Sequence, residues 1–147
     1  MLTKIVVHVA TKYSTRTRDQ FKGLKTGPPG LLKSLKECIP AYNNVIASLK
    51  ICLKEEACEL TGYDIHVAGD EVKRCQTIAD DNGAHGSFIT PANNVTLDFC
   101  TLGESLANPT LQRMMDKALA EQKWRNVEVY LEVVVESKTE WELIKDI

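Results

Sequence analysis

The chain has no uninterrupted apolar run of the roughly 18 or more residues that a membrane-crossing helix requires. Its opening Met1-Leu2-Thr3-Lys4-Ile5-Val6-Val7 lacks the basic start and small-residue cleavage site of a secretory leader. The expectation is a chain that neither spans a membrane nor enters the secretory route. It also has no C-x-x-C, H-x-x-x-H or H-E-x-x-H, the short spacings by which one loop or helix presents two ligands to zinc, so no metal is expected. Gly23-Leu24-Lys25-Thr26 lacks the G-K-[ST] contact of a phosphate-cradling loop, and Gly83-Ala84-His85-Gly86-Ser87 is not G-x-S-x-G. Asp80-Asp81-Asn82-Gly83 reads as a turn rather than a calcium loop, since too few oxygens stand at alternate positions. No cofactor and no catalytic residue is expected from these patterns.

Apolar residues at 44% and charged residues at 26% are ordinary globular usage, and 147 residues suit one domain spanning 1–147. The five cysteines, Cys38, Cys52, Cys58, Cys75 and Cys100, are odd in number and irregular in spacing, which predicts thiols in a reducing, cytoplasmic setting. The Asn94-Val95-Thr96 triplet reads as a turn entering a strand. The net charge of -2 conceals a lopsided distribution: residues 1–36 carry eight lysines and arginines against the single Asp19, and the rest of the chain carries ten against nineteen. Such asymmetry suits an anionic partner for the first third, or attraction between copies of the chain.

Along the chain, Lys4 to Ala10 (KIVVHVA) is a β-branched run of strand length. From Thr11 to Gly30 the hydrophobic period disappears among Ser, Thr, Lys and Arg and ends at Gly27-Pro28-Pro29-Gly30, which predicts a long, mobile basic loop over 11–30. Leu31, Leu32, Leu35, Cys38 and Ile39 keep helical spacing up to Pro40, and Val45, Ile46, Leu49, Cys52 and Leu53 resume it after Asn43-Asn44, so two short helices are expected. Tyr63/Ile65/Val67 and Val95/Leu97/Phe99 alternate with other residues at the period of half-buried strands. Asn108 as N-cap and Pro109 at the first helical position open a late helix with Leu111, Met114, Met115, Ala118 and Leu119 on one face. Val127 to Val135 alternates as a strand and turns at Ser137-Lys138 into a last strand bearing Trp141 and Leu143. The sum is an α+β fold, with a mixed, mostly antiparallel sheet of about five or six strands packed with three helices.

The five basic side chains Lys12, Arg16, Arg18, Lys22 and Lys25, interleaved with Tyr13 and Phe21, are the candidate binding residues, suited to the phosphates of anionic lipid or of RNA. The order of elements resembles the globular matrix proteins of rhabdovirus-type negative-strand RNA viruses. The stretches concerned are KIVVHVATKYSTRTRDQF, NPTLQRMMDKALAEQKW and LEVVVESKTEWELIKDI. That resemblance implies a non-enzymatic assembly protein at the inner leaflet or in a virion, contacting lipid or ribonucleoprotein and self-associating as a homo-oligomer. Two alternatives stay open: a small thiol-dependent enzyme using Cys75 with His66 or His85, and a regulatory protein-binding domain.

Overall fold

The computed structural model describes residues 2–110 together with residues 113, 114 and 117. Every regular element among them is a helix: α1 (Leu2–Gly23), α2 (Pro29–Lys54), the short α3 (Glu56–Thr61), α4 (Tyr63–Asp81) and α5 (Ile89–Leu106). The expected α+β fold is therefore overturned, since no strand exists among the described residues. In space α1 packs on α2 and α5, and α4 packs on α2 and α5, while α3 bridges α2 to α4. The four long helices thus close a ring in the order α1, α2, α4, α5, an up-down-up-down bundle of the kind short connections favour.

Only 24–28 is a non-helical connection; the expected strand at 4–10 and the expected basic loop as far as Gly23 form one continuous helix. Its buried residues, Leu2, Thr3, Val6, Val7, Ala10, Thr11, Tyr13, Ser14, Thr17 and Phe21, recur every three to four positions and so share one face. Half of that face is hydroxyl-bearing or small, which is why no apolar period is legible beyond Ala10. A helix can turn such hydroxyls back to its own carbonyls: Thr11 Oγ1 donates to Val7 O at 2.7 Å and, at the edge of the face, Thr15 Oγ1 to Thr11 O at 2.8 Å, whereas Thr3 Oγ1 and Ser14 Oγ are buried with no partner among the described residues.

The Gly27-Pro28-Pro29-Gly30 stretch ends the short connection and opens α2, with Pro29 at the start where a proline's missing N–H costs nothing. Glycine is required at position 30, because a side-chain carbon there would collide with the Asn82 carbonyl at the end of α4. Pro40 does not divide α2 into two helices. It lies on the exposed side, where a lost backbone hydrogen bond is least costly, while Cys38, Ala41, Tyr42, Val45, Ile46 and Leu49 stay in register on the core face. The alternations at 63–67 and 95–99 were too short to separate period 2 from 3.6. In α4 Tyr63 is 68% exposed whereas Ile65, Ala68 and Val72 are buried, and in α5 the buried positions fall in the pairs Val95/Thr96 and Phe99/Cys100. Asn82 and Gly83 do turn, Gly83 with φ +71°, but Asp80 and Asp81 belong to α4. Asn108 caps as expected: its Oδ1 accepts from the Thr110 amide at 2.9 Å, and Pro109 and Thr110 are helical. The strands expected at 127–135 and around Trp141 lie outside the described residues.

The core has two clusters. One gathers Leu2, Val6, Val7, Ala10, Tyr13, Val45, Leu49, Ile65, Ala68, Val72, Phe99 and Leu106 at the end where α1 begins. The other gathers Phe21, Leu35, Ala41, Tyr42, Ala79, Ala84 and Ile89 where α1 ends. Phe21 meets Tyr42 edge-on at 5.2 Å between ring centres, and Tyr13 meets Phe99 at 5.9 Å. Two disulfides brace the bundle: Cys38–Cys75 ties α2 to α4, and Cys52–Cys58 closes the turn from α2 into α3. The expectation of five thiols is thus corrected, and only Cys100 remains unbonded.

Candidate anion-binding face

The outer side of α1 is polar at every turn from Thr11 onward, because its inward face already holds the core residues. Lys12 and Arg16 stand four residues apart on that outer side and, with Thr11, Thr15, Asp19 and Gln20, line a shallow groove of about 650 Å³. Lys50 of α2 closes the groove and was not among the residues expected from sequence. Nothing in the sequence pairs Lys50 with Lys12 until both segments are seen as antiparallel helices; the hairpin register is the missing signal.

The five candidate residues divide accordingly. Lys12 and Arg16 come together in the groove. Arg18 turns towards α2, its Nη1 donating to Asn43 Oδ1 at 3.1 Å and its Nε pairing with Asp19 at 3.2 Å. Lys22 stands exposed in the last turn of α1, where a positive charge complements the helix dipole, and Lys25 is exposed in the connection to α2. The groove's only carboxylate, Asp19, is engaged by Arg18.

Charge is sorted by helix. α1 carries five basic residues against Asp19, and α2 carries four against Glu37. α4 carries two against five acidic residues, and α5 none against two. Because α1 and α2 are neighbours in the ring, the basic excess occupies one side of the bundle and the acidic excess the other. The two sides differ also in internal pairing. On the acidic side Asp70 meets Lys73 at 3.6 Å, Glu71 meets Arg74 at 2.6 Å, and Glu104 meets His66 at 2.8 Å. On the basic side Lys12, Lys22, Lys25, Lys36 and Lys50 make no ion pair among the described residues.

The geometry removes the thiol chemistry that was left open. Cys75 is bonded to Cys38 and has no thiol to ionise. Cys100 is buried, and burial, with Glu104 adding to it, pushes its thiol up to about 12, far from the thiolate a nucleophile needs. Both histidines are held by carboxylates: His66 Nδ1 lies 2.8 Å from Glu104, and His85 Nδ1 lies 2.7 Å from Asp80. His85, then Gln76, hold the Asp80 carboxyl below its ordinary range. Among the described residues no three His, Cys, Asp or Glu side chains converge as a metal site, and no helix is long and apolar enough to cross a membrane.

Beneath this surface a polar chain crosses the core. Tyr42 Oη donates to Asn93 Oδ1 at 2.9 Å and lies 3.2 Å from Thr96 Oγ1. Asn93 Nδ2 donates to Gln76 Oε1 at 2.9 Å, and Gln76 Nε2 donates to Asp80 at 2.8 Å. Burial drives the Tyr42 phenol far above its usual range. The chain joins α2, α4 and α5 and is structural, since each member satisfies another.

No protein-family model, no curated protein and no solved structure matches this chain.

Proposed function

We propose that this protein is a non-enzymatic binding protein whose α1–α2 face docks an anionic partner. One observation carries the reading: among the described residues Lys12, Lys22, Lys25, Lys36 and Lys50 of that face make no ion pair, although Lys33 meets Glu37, whereas Asp70 and Glu71 opposite hold Lys73 and Arg74. An excess of positive charge, set along a groove, attracts an oppositely charged surface and speeds its encounter. The same contrast argues against a second copy as the main occupant, because the acidic face has already engaged much of its charge. The inner-leaflet and ribonucleoprotein partners implied by the matrix-protein resemblance share this chemistry. The two intramolecular disulfides instead favour an oxidising setting over the cytoplasm.

The test is a panel of anionic probes: vesicles containing phosphatidylserine, an RNA homopolymer and poly-glutamate, each titrated across a salt series. At least one should bind the native protein in a salt-sensitive manner. The triple variant Lys12→Glu, Arg16→Glu, Lys50→Glu should bind it roughly a hundredfold more weakly, at about 1 kcal/mol for each basic residue near an anionic surface. Equal binding by native and variant protein, with both disulfides intact, overturns the reading.

A further inference from the structure

Resting on that reading, we infer that the partner is an extended, uniformly charged acidic polysaccharide lying lengthwise between α1 and α2. Positive side chains do not stop at the groove. On α1 they recur from Lys4 to Lys22, a span of about 27 Å at helical rise. The contact of Arg18 with Asn43, and the meeting of Lys50 with Thr11 and Lys12, set the antiparallel register of the two helices. In that register Lys36 falls beside the Lys22–Lys25 end and Lys54 beside the Lys4 end. The charge therefore forms a seam, longer than a single phosphate or carboxylate could use, and it is densest from Lys12 to Lys25, because Glu55 and Glu56 follow Lys54.

The chemistry of the seam separates a polysaccharide from the other linear polyanions. An acidic protein partner would be expected to find an apolar or aromatic anchor at the centre of its interface. The groove has none: its lining is Thr11, Lys12, Thr15, Arg16, Asp19, Gln20 and Lys50. Of the exposed apolar side chains, Ile5 and Leu24 fall near the two ends, Ile51 follows Lys50 on α2 without lining the groove, Phe88 packs on Phe21 at the Lys22 end of α1, and Tyr63 begins α4. Single-stranded nucleic acid would be expected to stack on several aromatic rings along its path, and among the described residues no ring lines the groove: Tyr13 and Phe21 are buried in the core and Phe88 stands at one end. What the seam offers is lysine charge interspersed with the side-chain amides of Gln20 and Asn43, donors suited to carboxylate or sulfate groups alternating with hydroxyls. The two disulfides fit the same partner, since a setting that keeps them oxidised is one where nucleic acid is not the prevailing polyanion.

The experiment titrates the native, oxidised chain with heparin (sulfate and carboxylate), hyaluronate (carboxylate alone), poly-glutamate and poly-uridylate at matched charge. Heparin, hyaluronate or both should bind at least tenfold more tightly than the other two, with affinity climbing with chain length until the sugar spans the seam. Two double variants then measure extent: Lys12→Glu/Lys50→Glu in the middle and Lys22→Glu/Lys36→Glu at one end. All four positions are exposed, so the helices should persist, as circular dichroism can verify. Each variant should lose about tenfold in affinity and lower the slope of log K against log salt by about two. Tighter binding of poly-glutamate or poly-uridylate, or an end variant indistinguishable from native, overturns the polysaccharide while leaving an anion-binding face. If no probe binds, both readings fall.

Discussion

The two helix pairs of this bundle, α1–α2 and α4–α5, bury their inner faces in the same core and carry opposite excess charge on the outside. They differ more in what their charges meet than in number. The acidic pair settles part of its charge locally, as in Glu71–Arg74 and Asp70–Lys73, whereas the basic pair leaves Lys12, Lys22, Lys25, Lys36 and Lys50 exposed. The lesson is a division of labour: stability resides where the pairs are joined, and the proposed recognition is assigned to one side only.

That division can be broken most severely at Cys38–Cys75, the covalent link between the pairs. It closes a separation of 37 residues, so chain entropy assigns it about 4 kcal/mol. Cys38→Ser/Cys75→Ser should lower the unfolding free energy in denaturant by about that amount. The bond within the α2–α3 turn closes only 6 residues and should cost about 2 kcal/mol when Cys52→Ser/Cys58→Ser removes it. Equal losses would show that the junction is no more important than the turn.

Tyr42→Phe probes the same junction by hydrogen bonding. It leaves Asn93 Oδ1 without its donor in a buried site, while Thr96 keeps its bond to Ala92 O, at a cost of about 1–3 kcal/mol. A smaller, pH-dependent effect belongs to Cys100 on α5. Its thiol, ordinarily near 9.0, is pushed up to about 12 in the fold, so the folded state keeps the proton that the unfolded chain releases. Stability from this source is complete below the ordinary value and declines as pH rises from about 9 towards 12. Denaturant midpoints taken upward from neutral pH should fall less steeply for Cys100→Ala than for the native chain. The smallest effect is on the basic side: Lys12→Glu replaces a like-charge neighbour of Arg16 with an opposite one and should stabilise by only about 0.2–0.5 kcal/mol, while weakening anion binding.

The sequence made the charge asymmetry, the absence of a membrane-spanning run and the Asn108-Pro109 helix start legible, because each depends on local composition or on one capping contact. The bundle was not legible, for identifiable reasons. In α1 the core-facing Thr3, Ser14 and Thr17 break the apolar period, and the β-branched Ile5-Val6-Val7 run carries strand propensity that tertiary packing overrides. In α2, Pro40 reads as a stop unless its exposure is known. The four cysteines pair across helices or across a turn, a geometry that spacing does not reveal. The candidate site was half legible: Lys12 and Arg16 meet in the groove, Lys50 was missed because its proximity depends on the hairpin register, and Arg18, Lys22 and Lys25 extend along the seam outside that groove.

The most direct measurement of the basic side's role is retention on a sulfonate cation exchanger at neutral pH. A protein of net charge -2 with evenly spread charge would pass through. The sorted charge of this bundle predicts that the native chain is retained at low salt, and that the Lys12→Glu, Arg16→Glu, Lys50→Glu variant is released early. A native protein that flows through unretained, or a variant held as firmly as the native chain, would contradict the account.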